Sequence, residues 1–219
     1  DDDRDLPPLS TGRFGRATSR NGLVWERSGK SASEDDGVVG HNTESWWGFD
    51  TAHVGLGTVL LPVSTPAVLT EGGVYLLYYF GGNYEETPLQ DYLVPTLPES
   101  KQNATCIGMQ MKIGVAVSQD GITWGRVEGD DPSGAVVVPY RKDNPNTDPS
   151  LELPEELYCA WPEVVVDTTK SDDAFTMYYS TMLKECKTKC LGYATSSDGF
   201  RWTQQGVCLM PDDNVWEGD

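Results

Sequence analysis

Apolar and polar positions alternate in short runs bounded by Gly, Pro, Asn and Asp, and no stretch sustains the spacing of an amphipathic helix. The clearest run occurs three times: Gly15-Arg-Ala-Thr-Ser-Arg-Asn-Gly22-Leu-Val-Trp25, Gly114-Val-Ala-Val-Ser-Gln-Asp-Gly121-Ile-Thr-Trp124 and Gly192-Tyr-Ala-Thr-Ser-Ser-Asp-Gly199-Phe-Arg-Trp202. The shared frame is G-x-A-x-S-x-[DN]-G-x-x-W. Its first half reads as a strand, Asn-Gly or Asp-Gly as a tight turn, and Trp as the opening of the returning strand. Three copies predict one supersecondary unit used repeatedly in a radial or stacked β array.

Two of the three hairpins are preceded by an aromatic strand, Val74–Phe80 and Phe175–Thr181. Earlier still come the apolar runs Thr58-Val-Leu-Leu-Pro62 and Glu163-Val-Val-Val-Asp167. Each unit therefore reads as four strands, and a four-stranded antiparallel meander repeated around an axis is a propeller blade. The apolar first strand of such a blade lies nearest the axis, is buried on both faces and loses its alternation. The expected fold is all-β, a β-propeller of the five-bladed type with about two and a half blades represented. An irregular acidic segment (1–11) precedes a single propeller domain over 12–219. Within it fall a half blade at 12–30, whole blades at 49–129 and 155–209, and the start of another at 215–219. Two and a half blades leave sheet edges unpaired, so the reading expects a longer polypeptide or a second chain to complete the ring.

Composition narrows the partners. The net charge of −18, from 34 acidic and 16 basic residues, repels phosphate backbones and anionic lipid, so nucleic acid is excluded as a partner. Neutral sugars, cations and basic protein surfaces remain. No apolar run reaches the roughly 18–20 residues that span a bilayer, so no membrane span is expected. The five cysteines include Cys186 and Cys190 in one loop, a candidate disulfide, with Cys159 or Cys208 available for a second. With the sequon Asn103-Ala104-Thr105 they point to an extracellular or secretory setting or an organelle lumen, including a plastid lumen. No cofactor or metal is implied.

The second unit is also stretched: roughly residues 82–107 are extra between its aromatic strand and its hairpin, polar and Pro-rich. A loop of that length is read as a protein-partner or ligand contact, or as a tolerated surface insertion.

The four-strand units with S-x-D-G-x-x-W turns (Ser118–Trp124, Ser196–Trp202) and Tyr-Tyr strands resemble the five-bladed propeller superfamily of arabinanases, levansucrases and invertases, glycoside hydrolase families 43, 32, 68 and relatives. Sialidase-type propellers carry a similar Asp box with one more residue between Asp and Gly. In the hydrolases that the chain resembles, carboxylates from the innermost strands of different blades meet at the axis, and glycoside hydrolysis needs two of them roughly 5–9 Å apart. Aligning the strand entrances here matches Asp50 with Glu155, seven residues before Gly57 and Pro162, and Trp216-Glu217 opens the next unit alike. Asp50, Glu155 and Glu217 are thus the candidate catalytic residues, and equally each is a candidate cap of its own blade.

Against catalysis, the superfamily's enzymes present an acid one or two residues before a Pro of this kind, where this chain has Ala160 and Trp161, with Gly55 and Leu56 in the other unit. Candidate ligand-binding residues are Trp46 and Trp47 for sugar stacking, His53 for lining the axial channel, and Trp161 with Glu163 beside it. The sequence therefore favours a non-catalytic, glycosidase-like propeller acting as a protein-interaction subunit of a larger assembly, with a neutral glycan as a further ligand. Its rival is a hydrolase of the family 43/32 type acting on a neutral oligosaccharide.

Overall fold

The computed structural model describes residues 14–27, 39–62, 73–93, 96–142 and 152–211. Its regular structure is strand apart from two short 3-10 turns, Leu89–Tyr92 and Glu99–Lys101. Among the described residues no helix is long and apolar enough to cross a membrane.

Two four-stranded antiparallel sheets carry the fold. The first runs β3 (His53–Leu60), β4 (Tyr75–Gly82), β7 (Lys112–Ser118), β8 (Gly125–Val127); the second runs β9 (Glu156–Val166), β10 (Phe175–Leu183), β11 (Lys189–Ser196), β12 (Thr203–Leu209). Both are meanders, each strand pairing with the next in chain order once the small hairpin of β5 (Glu86–Pro88) and β6 (Thr105–Ile107) is set aside. A third hairpin, β1 (Ala17–Thr18) with β2 (Glu26–Arg27), stands as a two-stranded sheet.

Registers make the repeat quantitative. Tyr79 lies opposite Gly114 and Leu77 opposite Ala116; Tyr179 lies opposite Gly192 and Met177 opposite Ala194. Ala116 faces Arg126, Ala194 faces Gln204 and Ala17 faces Arg27. The frame glycines make room for aromatic rings, because a Cβ on Gly114 would sit 2.4 Å from the Phe49 ring and 3.1 Å from that of Tyr79, and one on Gly192 2.6 Å from the Tyr179 ring.

All three turns close alike. Ser19, Ser118 and Ser196 accept the amides of Gly22, Gly121 and Gly199 at 2.8–2.9 Å. Asn21, Asp120 and Asp198 each accept the amides two and three residues on. The three glycines have φ of +73°, +68° and +79°, the left-handed region that side chains resist.

The sheets stack face to face. Leu76, Tyr78, Phe80, Ile113 and Val115 of the first pack with Val164, Phe175, Met177 and Tyr179 of the second in one core. Tyr78 Oη donates to Gly199 O at 2.9 Å and its ring meets Trp202 edge-on, so the second sheet's turn grips the first. The opposite face of the first sheet, Leu77, Tyr79 and Ala116, packs with Val39, Phe49 and Val54 in a second cluster.

Three expectations change. The innermost strands begin earlier than the apolar runs suggested, at His53 and Glu156, and are buried on both faces only at that end. Beyond it they alternate, leaving Val59 and Val165 about half exposed. The 82–107 insertion is folded: β5 and β6 pair within it, Tyr92 and Cys106 enter the main core, and Lys187 Nζ donates to the carbonyls of Gln90 and Leu93. All five cysteines are free thiols, with Cys186 exposed and Cys190 turned into the interior.

Candidate functional site

Each sheet holds one buried carboxylate, and each is engaged in the same way. In the first, Asp50 Oδ2 accepts Tyr79 Oη at 2.9 Å and Arg126 Nε at 2.8 Å. In the second, Glu156 Oε1 accepts Tyr179 Oη at 3.0 Å, while Oε2 accepts Gln204 Nε2 at 3.0 Å and the Tyr140 amide at 2.9 Å. The long side chain then reaches the segment entering from the preceding unit: Arg126 donates to Gly40 O, and Gln204 donates to Val138 O. Acid, tyrosine and Arg or Gln thus staple each linker to the sheet that follows it.

This pairing corrects the alignment of acids: the counterpart of Asp50 is Glu156, one residue beyond Glu155. The cause is local. Strand β9 carries one extra residue against β10 between Cys159 and Glu156, and an extra residue reverses the facing of those before it, leaving Glu156 buried. Glu155 is paired with Lys184 Nζ at 2.8 Å, and that bond holds its carboxyl below the ordinary range.

The two staples differ in charge. Asp50 faces a guanidinium, whereas among the described residues the donors to Glu156 are neutral. Burial pushes the Glu156 carboxyl above its ordinary value, against the opposing pull of the Tyr140 amide and the Tyr179 hydroxyl. Burial likewise raises the phenols of Tyr79 and Tyr179, which stay protonated and act as donors.

Asp50 also lines a cleft of about 350 Å³ with Trp47, Tyr79, Trp124, Arg126 and Ser133. Trp47 is 50% exposed at that cleft, and Trp46 beside it is 88% exposed, the two rings meeting edge-on at 6.0 Å. Glu155 is not among the residues around the cleft, and Glu217 lies outside the described residues.

His53 is not a channel residue among those described. It is 1% exposed, with Nε2 donating to Gly108 O at 2.7 Å. Burial draws its imidazole below 6.5, against the pull of that carbonyl, so the ring is neutral at neutral pH.

Trp161 and Glu163 meet at the seam between the innermost strands. Thr58 Oγ1 bonds both Pro162 O (3.1 Å) and Glu163 Oε2 (2.7 Å). Trp161 sits on a bulge at φ +49°, half exposed, its ring 4.7 Å from that of Phe80. A bulky residue in that region is strained, and such strain concentrates at working surfaces. The seam presents an aromatic face and a carboxylate rather than a pair of acids.

Sequence reasoning missed Glu156, Arg126, Gln204 and the two tyrosine hydroxyls. A signal existed in the residue two beyond each frame Trp: Arg27, Arg126 and Gln204.

Comparison with known proteins adds little to this geometry. No protein-family profile matches the chain, and no curated protein does. Two solved chains match. One is Zg3597, a family 117 glycoside hydrolase produced by the marine bacterium Zobellia galactanivorans, at 17% identity and a TM-score of 0.45 over 76% of this chain and 43% of that one. The chain thus spans less than half the length of that protein.

Proposed function

We propose that the chain is part of a non-catalytic, glycosidase-like β-propeller of the five-bladed type, working as a protein-interaction subunit in an extracellular, secretory or organelle-lumen setting. The observation that carries this reading is the use made of the acids. Asp50 and Glu156 are committed to stapling linkers to sheets, and Glu155 is held by Lys184. None of the three is free to act as the acid or the base of a hydrolytic pair.

Two four-stranded meanders stacked face to face, with a third hairpin in the same frame, support the propeller architecture. Large apolar side chains are exposed on the first hairpin, Leu23, Val24 and Trp25, and on the second sheet, Val165, Tyr178 and Leu209. Such surfaces favour association. Exposed Asn103 and the turn that carries it fit a glycosylated, exported protein. The Trp161 seam is the surface for a neutral glycan, by stacking and one hydrogen-bonding carboxylate.

The test is turnover of a broad panel of aryl glycosides by the protein from its source, together with its native mass. The expected outcome is no cleavage and a mass above that of the single polypeptide. Cleavage abolished by Glu217→Gln would establish the hydrolase instead.

A further inference from the structure

The third hairpin keeps residues whose reasons are absent from its surroundings. In both complete sheets the frame glycine is required because aromatic rings lie against it, Phe49 and then Tyr79 at Gly114, and Tyr179 at Gly192. At Gly15 nothing stands within 4 Å of the place a Cβ would take, and its φ does not call for glycine. The frame alanines Ala116 and Ala194 are fully buried, whereas Ala17 is exposed. Arg27 occupies the register of Arg126 and Gln204, opposite its alanine, yet no carboxylate reaches it among the described residues. The turn itself closes with the same Ser and Asn bonds as the other two, so the hairpin is fully formed.

We propose that β1 is the docking edge for a further inner strand pair of this repeat, one that lays a tyrosine ring on Gly15 and brings a carboxylate to Arg27. The proposal rests on the repeat-array reading above. Pairing proceeds by strand addition, with backbone hydrogen bonds along β1 and side-chain fit at Gly15 and Ala17 setting register. The pair comes from outside these 219 residues. All ten tyrosines of the chain fall within described residues. The two that play this part, Tyr79 and Tyr179, lie on β4 and β10, strands already paired along both edges. Among the described residues a second copy of the chain therefore has no free strand of the right kind to offer.

The experiment appends a second copy of residues 49–82, which carries Asp50 and Tyr79, after Asp219 through a flexible linker, raising its effective concentration at β1. Amide exchange of residues 15–19 is the readout. Docking slows it by about ten-fold or more; Gly15→Phe in the fused protein, or Tyr79→Ala in the appended copy, restores fast exchange. Arg27→Glu weakens the protection. In the unfused chain Gly15→Phe leaves the melting temperature unchanged, because the space there is open. Exchange that the fusion does not alter, or that slows equally with Gly15→Phe, overturns the proposal. A monomeric native mass would remove the interaction reading and leave this docking edge intact.

Discussion

Glu156 is the residue at which charge and burial are least reconciled. It is 3% exposed and held by Tyr179, Gln204 and the Tyr140 amide, with no cation among the described residues where Asp50 has Arg126. A carboxyl whose folded pKa lies above 4.5 binds more protons folded than unfolded. Its contribution to stability is therefore complete below the unfolded pKa and declines as pH rises through the folded value. Glu156→Gln keeps the shape and removes the charge. Urea unfolding at pH 8 and pH 5 is expected to show the variant gaining stability on wild type at the higher pH and losing that advantage at the lower. A variant destabilised more at pH 8 than at pH 5 would mean that the ionised carboxylate is what the neutral donors hold.

At the scale of the element, the hairpin turn explains the repeated phrase. Ser and Asp or Asn satisfy four backbone amides in a turn with no ladder partners for them, glycine supplies the positive φ, and Trp closes it by donating to the glycine carbonyl, as Trp202 does to Gly199 at 3.1 Å. Asp198 accepts the amides of Phe200 and Arg201 at 2.7 and 2.8 Å. Its partial burial opposes ionisation, but those amides and the Ser196 hydroxyl outweigh it and leave the carboxyl below 3.8. The turn's contribution is thus present above that value and lost as pH falls through the folded pKa, the opposite slope to Glu156. Asp198→Ala is expected to cost about 1–2 kcal/mol at pH 7 in denaturant unfolding, with the loss shrinking toward pH 3. Asp198→Asn, which preserves the acceptor as Asn21 does, should recover most of it.

For the whole molecule, two sheets are stacked so that the turn of the second receives Tyr78 from the first, and the second sheet leaves apolar side chains exposed on its outer face. Tyr78 is fully buried on Gly199 and Trp202, while Tyr178, at the same place one unit on, is 40% exposed. Overlaid on this is a net charge of −18, whose self-repulsion opposes compactness and is screened by salt over a Debye length of about 10 Å at 0.1 M. Melting temperature is expected to rise between 10 and 150 mM NaCl, and the same increase should be smaller near the isoelectric pH of about 4.3. A salt-independent melting point at neutral pH would show the acidic groups to be locally compensated.

The repeat, its turns, the all-strand character and the four-strand unit were legible because they depend on neighbours in sequence: glycine for a positive φ, Ser and Asp for nearby amides, alternation for a pleated strand. The middle of the innermost-strand alignment was also legible, pairing Gly55 with Ala160 and Val59 with Val164 as the registers do. What only the tertiary structure decided was the part played by each polar side chain. One extra residue in β9 between Glu156 and Cys159 exchanges Glu155 for Glu156, and no local signal reports such a bulge. Burial of His53, the folding of the 82–107 insertion onto Lys187, and the use of Asp50 as a staple rest on contacts across dozens of residues. Local chemistry specifies a unit; where units meet, packing determines which acids reach solvent.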